Sequence, residues 1–143
     1  KLASESKERA LNFIRRLVKL VGAGTFILSL LLFILAAPIV NIVLGKQYQP
    51  SIIVLQILAF LPFIIGLSNI FGIQTMLTFN LKRAFSKILI SAGLLNITLA
   101  LILAPLYQHI GVSIAVLTTE IFVTLSMFIY LKKRGIKIFE KLK

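Results

Sequence analysis

SIIVLQILAFLPFIIGLSNIFGIQTML, residues 51–77, decides the fold, because it runs through a full membrane-crossing length without one charge. A helix of this length rises about 40 Å at 1.5 Å per residue. The hydrocarbon core of a bilayer is about 30 Å thick and takes roughly 20 helical residues. The same reading extends in both directions. No charge falls between Lys19 and Lys46, between Lys46 and Lys82, between Lys87 and Glu120, or between Glu120 and Lys132. Across all 143 residues, 59% are hydrophobic and only 14% are charged, with a mean hydropathy of +1.02. Soluble domains hold roughly 45–50% apolar and about 25% charged residues. A chain this short cannot hide so much apolar surface from water. The expected fold class is therefore all-α integral membrane, with about four transmembrane helices in a single membrane domain over 1–143.

Residues 5–19 read as an amphipathic cytoplasmic helix. Ala10, Leu11, Ile14, Leu17, Val18 and Val21 follow one face, as helical periodicity requires. Transmembrane helices are expected over 20–44, 51–77, 88–104 and 111–131, and a basic surface tail over 132–143. Gly22, Thr25 and Ser29 make a small-residue stripe in the first span, and Pro38 is expected to bend its far end. Pro62, inside the second span, predicts a kink, with Pro62 and Gly66 as a candidate hinge. Phe79–Lys87 reads as a loop and Pro105–Ile110 as a short turn. Ala92, Asn96, Ala100 and Ala104 recur every fourth residue, a small face suited to helix contact in lipid.

The basic residues give an orientation. Six lie before the first span, three between the second and third (Lys82, Arg83, Lys87), and six after the fourth; Lys46 stands alone on the other side. The positive-inside rule predicts that both ends and the Lys82 turn are cytoplasmic, while Lys46 and His109 face outward. The formal net charge of +12 sits at span ends rather than on an aromatic-lined groove, which argues against nucleic acid. With no cysteine, one histidine and no aspartate, neither a metal cluster nor a Ser/His/Asp arrangement is available, and no enzyme or cofactor is expected. The chain opens on Lys1 with no signal-peptide pattern and reads as a piece of a longer protein.

Glu120 is the one charged residue inside a span. It lies about 13 Å along the helix from Gly111, near the midplane. Such a residue is costly and normally faces a bundle interior or a polar cavity. It reads either as an ion-coupling group or as a structural group bonding across helices, with a polar group of the third span as its expected partner. Asn69, Gln74 and Asn96 are candidates either for lining a polar cavity or for tying helices together. Lys82, Arg83 and Lys87 read as topology anchors or as contacts to anionic headgroups. Tyr48, Tyr107 and Tyr130 suit the membrane interface.

Two stretches carry a resemblance. APIVNIVLGKQYQPSIIVLQILAFLPFIIGLSNIFGIQTML, from Ala37 to Leu77, and ISAGLLNITLALILAPLYQHIGVSIAVLTTE, from Ile90 to Glu120, resemble the C-terminal part of bacterial polysaccharide flippases. These are the O-antigen and capsule repeat-unit transporters of the multidrug/oligosaccharidyl-lipid/polysaccharide exporter superfamily. The turn with Gly45 and Tyr48, the segment with Asn69, Gly72 and Gln74, the helix with Asn96 and the span glutamate Glu120 follow in the family's order. The chain departs from the family at Gln108, where the family often has glycine, and at Val112 and Ser113, where it has a small pair. The resemblance implies a parent of about twelve helices in two six-helix lobes, the missing helices being partners of these. It implies an undecaprenyl-pyrophosphate-linked oligosaccharide as substrate, moved by alternating access across the bacterial inner membrane with ion coupling. Two other readings stay open: a drug/cation antiporter of the same superfamily, and a complete four-helix membrane protein acting as a small polyprenyl-sugar flippase or as an assembly subunit.

Overall fold

The computed structural model describes residues 2–136 and 138, and the side chains of residues 8–136 and 138. Half of the expected tail, residues 137 and 139–143, lies outside the described residues. Among those described, every regular element is helical: α1 (Leu2–Ile34), α2 (Ala36–Val43), a 3-10 turn (Lys46–Tyr48), α3 (Ser51–Leu58), α4 (Leu61–Asn69), a π-helix π1 (Ile70–Leu77) and α5 (Lys82–Lys133). Three continuous stretches are long and apolar enough to cross a membrane: Glu8–Ile34, Ser51–Leu77 and Lys82–Lys133.

The third of these is a hairpin rather than one rod. Asn96 Nδ2 donates to Thr119 Oγ1 at 3.1 Å, although a straight helix would hold these residues about 35 Å apart. The reversal is at Gln108, whose φ of 52° and ψ of −130° leave helical geometry. Gly111 sits so close to Leu103 that a Cβ there would overlap the Leu103 carbonyl. Each arm exceeds the roughly 20 residues that a bilayer core requires, so the described chain makes four apolar rods.

Gln108 occupies backbone space that L side chains rarely adopt, at a cost of order 1–3 kcal/mol. Gln108→Gly removes that strain, less the entropy glycine loses on folding, roughly 0.5–1 kcal/mol. The expected outcome is a higher melting temperature of the full-length protein in detergent. A lower one would count against this turn.

The breaks after α1 and after α3 obey one rule. The proline ring clashes with the carbonyl four residues back. Pro38 faces back to Ile34, the last residue of α1, and Pro62 to Leu58, the last residue of α3. The bend expected at Pro38 therefore lies at Leu35, and the kink expected at Pro62 lies at Ala59–Phe60, with Pro62 in the first turn of α4.

The loop expected over Phe79–Lys87 is shorter, because α5 already begins at Lys82. Asn80, at φ 57°, ends π1 in a left-handed cap: Asn80 N–H donates to Leu77 O at 3.1 Å and Leu81 N–H to Met76 O at 2.7 Å. This is the paired closure that asparagine or glycine supports after a helix. Gly135, at φ 73°, closes α5 in the same way through Lys132 O and Leu131 O. The chain then folds back, so that Ile138 is buried beside Ile14 in the core and its carbonyl accepts from Arg15 Nε at 3.1 Å. The turn expected over Pro105–Ile110 contracts to Gln108, since the helix runs on through Pro105.

The rods pack side by side. The first lies antiparallel against the second, with Phe26 on Phe63 and Phe33 on Phe60. The small stripe faces this contact. Gly22 meets Leu67, Thr25 covers Gly66, and Ser29 Oγ, 1% exposed, accepts from Phe63 N–H at 3.2 Å. That bond satisfies an amide near the Pro62 break. The second rod lies against the second arm of α5, with Phe71 on Phe128 and Gly72 under Met127. The first arm reaches the second rod as well, with Phe85 against Gly72. Leucines and isoleucines are left outward along the rods, Ile42 and Leu20 being 83% and 73% exposed. In lipid such a surface carries no penalty, and helix contact rests on close packing and polar bonds.

Candidate functional site

Glu120 lies half-buried on the second arm of α5, and its carboxyl has no hydrogen-bond or ion-pair partner among the described residues. The polar contact expected of it is made one residue earlier. Thr119 Oγ1 accepts from Asn96 and donates to Ala115 O at 2.8 Å. One residue is about 100° around a helix, so Thr119 faces the first arm while Glu120 is turned toward another side. Thr124, one turn on, donates to Glu120 O at 2.8 Å and reaches Ile64 O of the second rod at 3.3 Å.

Asn96 is thus a tie between the arms of α5. Asn69 and Gln74 differ: both are exposed. They lie at the start of and within π1, whose backbone bonds run from residue i+5 to i; the Thr75 hydroxyl also donates to Ile70 O at 2.7 Å. In an α-helix, residues five apart point some 140° away from each other. The wider π turn lessens that angle, so Asn69 and Gln74 lie nearer to one face of the second rod than α-helical spacing would put them. Single π turns inside α-helices are frequent at functional sites. No periodicity in the residues announced this one; Thr75, fully buried, bonds across it to Ile70 O.

Pro62 marks the start of α4, as described. Gly66 is a packing point: a Cβ there would lie 3.1–3.3 Å from Thr25 and Val21. Lys82 and Arg83 open the first turn of α5 and line a cavity of about 460 Å³ together with Asn80, Tyr130 and Arg134. Lys87 is exposed and does not line it. Tyr130 and Arg134 were read from the sequence only as an interface tyrosine and one tail charge; their spacing of four was the available signal. No group of three metal-ligating side chains occurs among the described residues.

These features define an all-α membrane-embedded protein whose polar groups lie on otherwise apolar rods. No protein-family model matches the chain, and no solved structure matches it. Over 115 residues it is 46% identical to a curated protein of Escherichia coli (strain K12) named "Putative O-antigen transporter". The match takes in 80% of this chain and 27% of that protein, so the chain spans about a quarter of the relative's length. The similarity is to a transporter, and it agrees with a transmembrane, transport-related chain.

Proposed function

We propose that this chain is part of a membrane transporter that moves a lipid-linked oligosaccharide from the cytoplasmic to the outer leaflet of the bacterial inner membrane. The observation that carries this reading is the 46% identity over 115 residues with a protein named for O-antigen transport. Two features support it. The amides of Asn69 and Gln74 lie open on a rod that is otherwise apolar, where they suit sugar hydroxyls. Glu120 keeps a carboxyl without a partner among the described residues, as a group that exchanges a proton or sodium ion would. In this reading the four rods belong to a larger two-lobed assembly, which works by one bundle moving against another around a central site.

The test is complementation. The full-length gene containing this chain, expressed in a strain lacking its O-antigen flippase and matched to the repeat unit, is expected to restore surface polysaccharide. Normal membrane levels with no restoration would count against the reading.

The topology belongs to the same proposal: both ends and the Lys82 turn cytoplasmic, Lys46 and His109 outside. Single cysteines at 46, 82, 109 and 137 of the full-length protein, which need no competing cysteine of this chain removed, can be probed in whole cells with an impermeant thiol reagent. Labelling is expected at 46 and 109 alone. Labelling at 82 without 46 would reverse the orientation.

A further inference from the structure

The cavity at the Lys82 end of α5 is basic on two sides. One wall is the turn leading into the first arm, with Asn80, Lys82 and Arg83; the other is the end of the second arm, with Tyr130 and Arg134. Hairpin closure at Gln108 is what brings residues 82–83 and 134 together, so the cluster exists only in the folded protein. Arg134 is held in place. Its Nε and one terminal nitrogen donate to the Tyr130 hydroxyl at 3.2 and 3.1 Å, and its guanidinium lies 5.5 Å from the Tyr130 ring centre. Lys82 and Arg83 make no hydrogen bond or ion pair with a described residue, and no carboxylate lines the cavity among the described residues. Three cations converge on about 460 Å³ of space, with no described residue of opposite sign lining it. Like charges gathered this way repel, and the arrangement costs free energy unless an anion joins it.

We propose that this cavity binds a phosphate-bearing anion at the bilayer surface. Arg83 and Arg134 would grip it from opposite walls and Lys82 would add a third charge. Guanidinium groups match phosphate oxygens with paired, charge-assisted hydrogen bonds. Tyr130 is a positioning residue, because it acts by orienting Arg134. The site sits where the apolar arms end and basic residues gather, the level at which anionic headgroups attract lysine and arginine. The proposal rests on the membrane placement of α5 and not on sugar transport. Two sources share the chemistry, a phospholipid headgroup and a phosphate or pyrophosphate group presented from water or on another lipid.

Delipidated full-length protein in detergent is titrated with dioctanoyl-phosphatidylglycerol and, separately, with dioctanoyl-phosphatidylcholine, and bound lipid is counted by native mass spectrometry. Wild type is expected to favour the anionic lipid. Arg83→Gln/Arg134→Gln should weaken its binding at least fivefold. Lys132→Gln/Lys133→Gln, which removes as much charge from exposed positions outside the cavity, should change it less than twofold. Tyr130→Phe keeps the ring and loses the hydroxyl, and should fall between the two; it also serves if the double arginine variant does not fold. Displacement of the lipid by sodium pyrophosphate assigns the site to free or pyrophosphate-type phosphate, and retention assigns it to the phospholipid. Equal binding of the two lipids by wild type overturns the proposal. So does equal weakening by the two double variants, or unchanged affinity in Tyr130→Phe.

Discussion

Gly111→Val is expected to leave little folded protein. A side chain at this position would overlap the carbonyl of Leu103 and press within 3.1 Å of its Cβ. Both obstacles belong to the backbone or to its first side-chain carbon, so no rotamer change clears them. Overpacking in a close-fitted interior costs about 1–3 kcal/mol, and a backbone-on-backbone contact lies at or above the top of that range. The two arms of α5 would have to separate at the Gln108 end, stretching the Asn96–Thr119 bond. Detergent-solubilised full-length protein should therefore melt well below wild type, with most of it lost from the monodisperse size-exclusion peak. Gly93→Val is the matched control on the same helix, since a Cβ there meets nothing within 4 Å, and it should behave as wild type. If Gly111→Val melts within about a degree of wild type, the close approach of the arms is not a feature of the molecule.

The rods themselves were legible in the charge gaps, because lipid forbids uncompensated charge along the whole of a span. Their ends were less so. The run Lys82, Arg83, Lys87 reads as a loop when charge is taken to mean solvent, yet lysine and arginine are good helix formers. What ends the preceding rod is Asn80 in its left-handed cap, a single residue among several polar ones. Pro38 and Pro62 told that two rods break; the clash four residues back told where, and that step was available from the sequence. The reversal was bracketed by the turn read over Pro105–Ile110, but not its exact residue, because glutamine carries no preference for positive φ. Only the resemblance to flippases, in which glycine often stands at this position, pointed to Gln108 itself.

The polar groups divide along the same line. A stripe such as Gly22, Thr25, Ser29 is set by helical period alone, and it packs where period places it. Which of two neighbours bonds across a helix pair depends on the rotation of one rod about its axis, and composition does not encode that. Asn96 therefore found Thr119 and not Glu120. The π turn at 70–77 shifts every residue beyond it relative to an α-helix, so the faces of Asn69 and Gln74 could not be paired from α-helical spacing.

That shift leads to the sharpest functional expectation. If Asn69 and Gln74 border the path of a sugar, replacing both with leucine should cripple transport while leaving the fold intact. Their exposure means that no packing within this chain is lost. A hydrogen bond from an amide to a hydroxyl contributes about 0.5–1.5 kcal/mol net, and roughly 1.4 kcal/mol is a tenfold change in binding. The double variant Asn69→Leu/Gln74→Leu in the full-length protein should then show about a tenfold or greater fall in surface polysaccharide restored to a flippase-deficient strain, at unchanged membrane abundance. Were the two amides to face lipid instead, leucine would suit them better, and the variant would be as active as wild type and more stable to heat. Thr98→Leu supplies the comparison: Thr98 is also exposed, but its hydroxyl is already spent on Leu94 O of its own helix at 2.8 Å, and its loss should leave transport unchanged. A double variant that transports like Thr98→Leu would remove these amides from the substrate path and leave Glu120 as the polar group to test next.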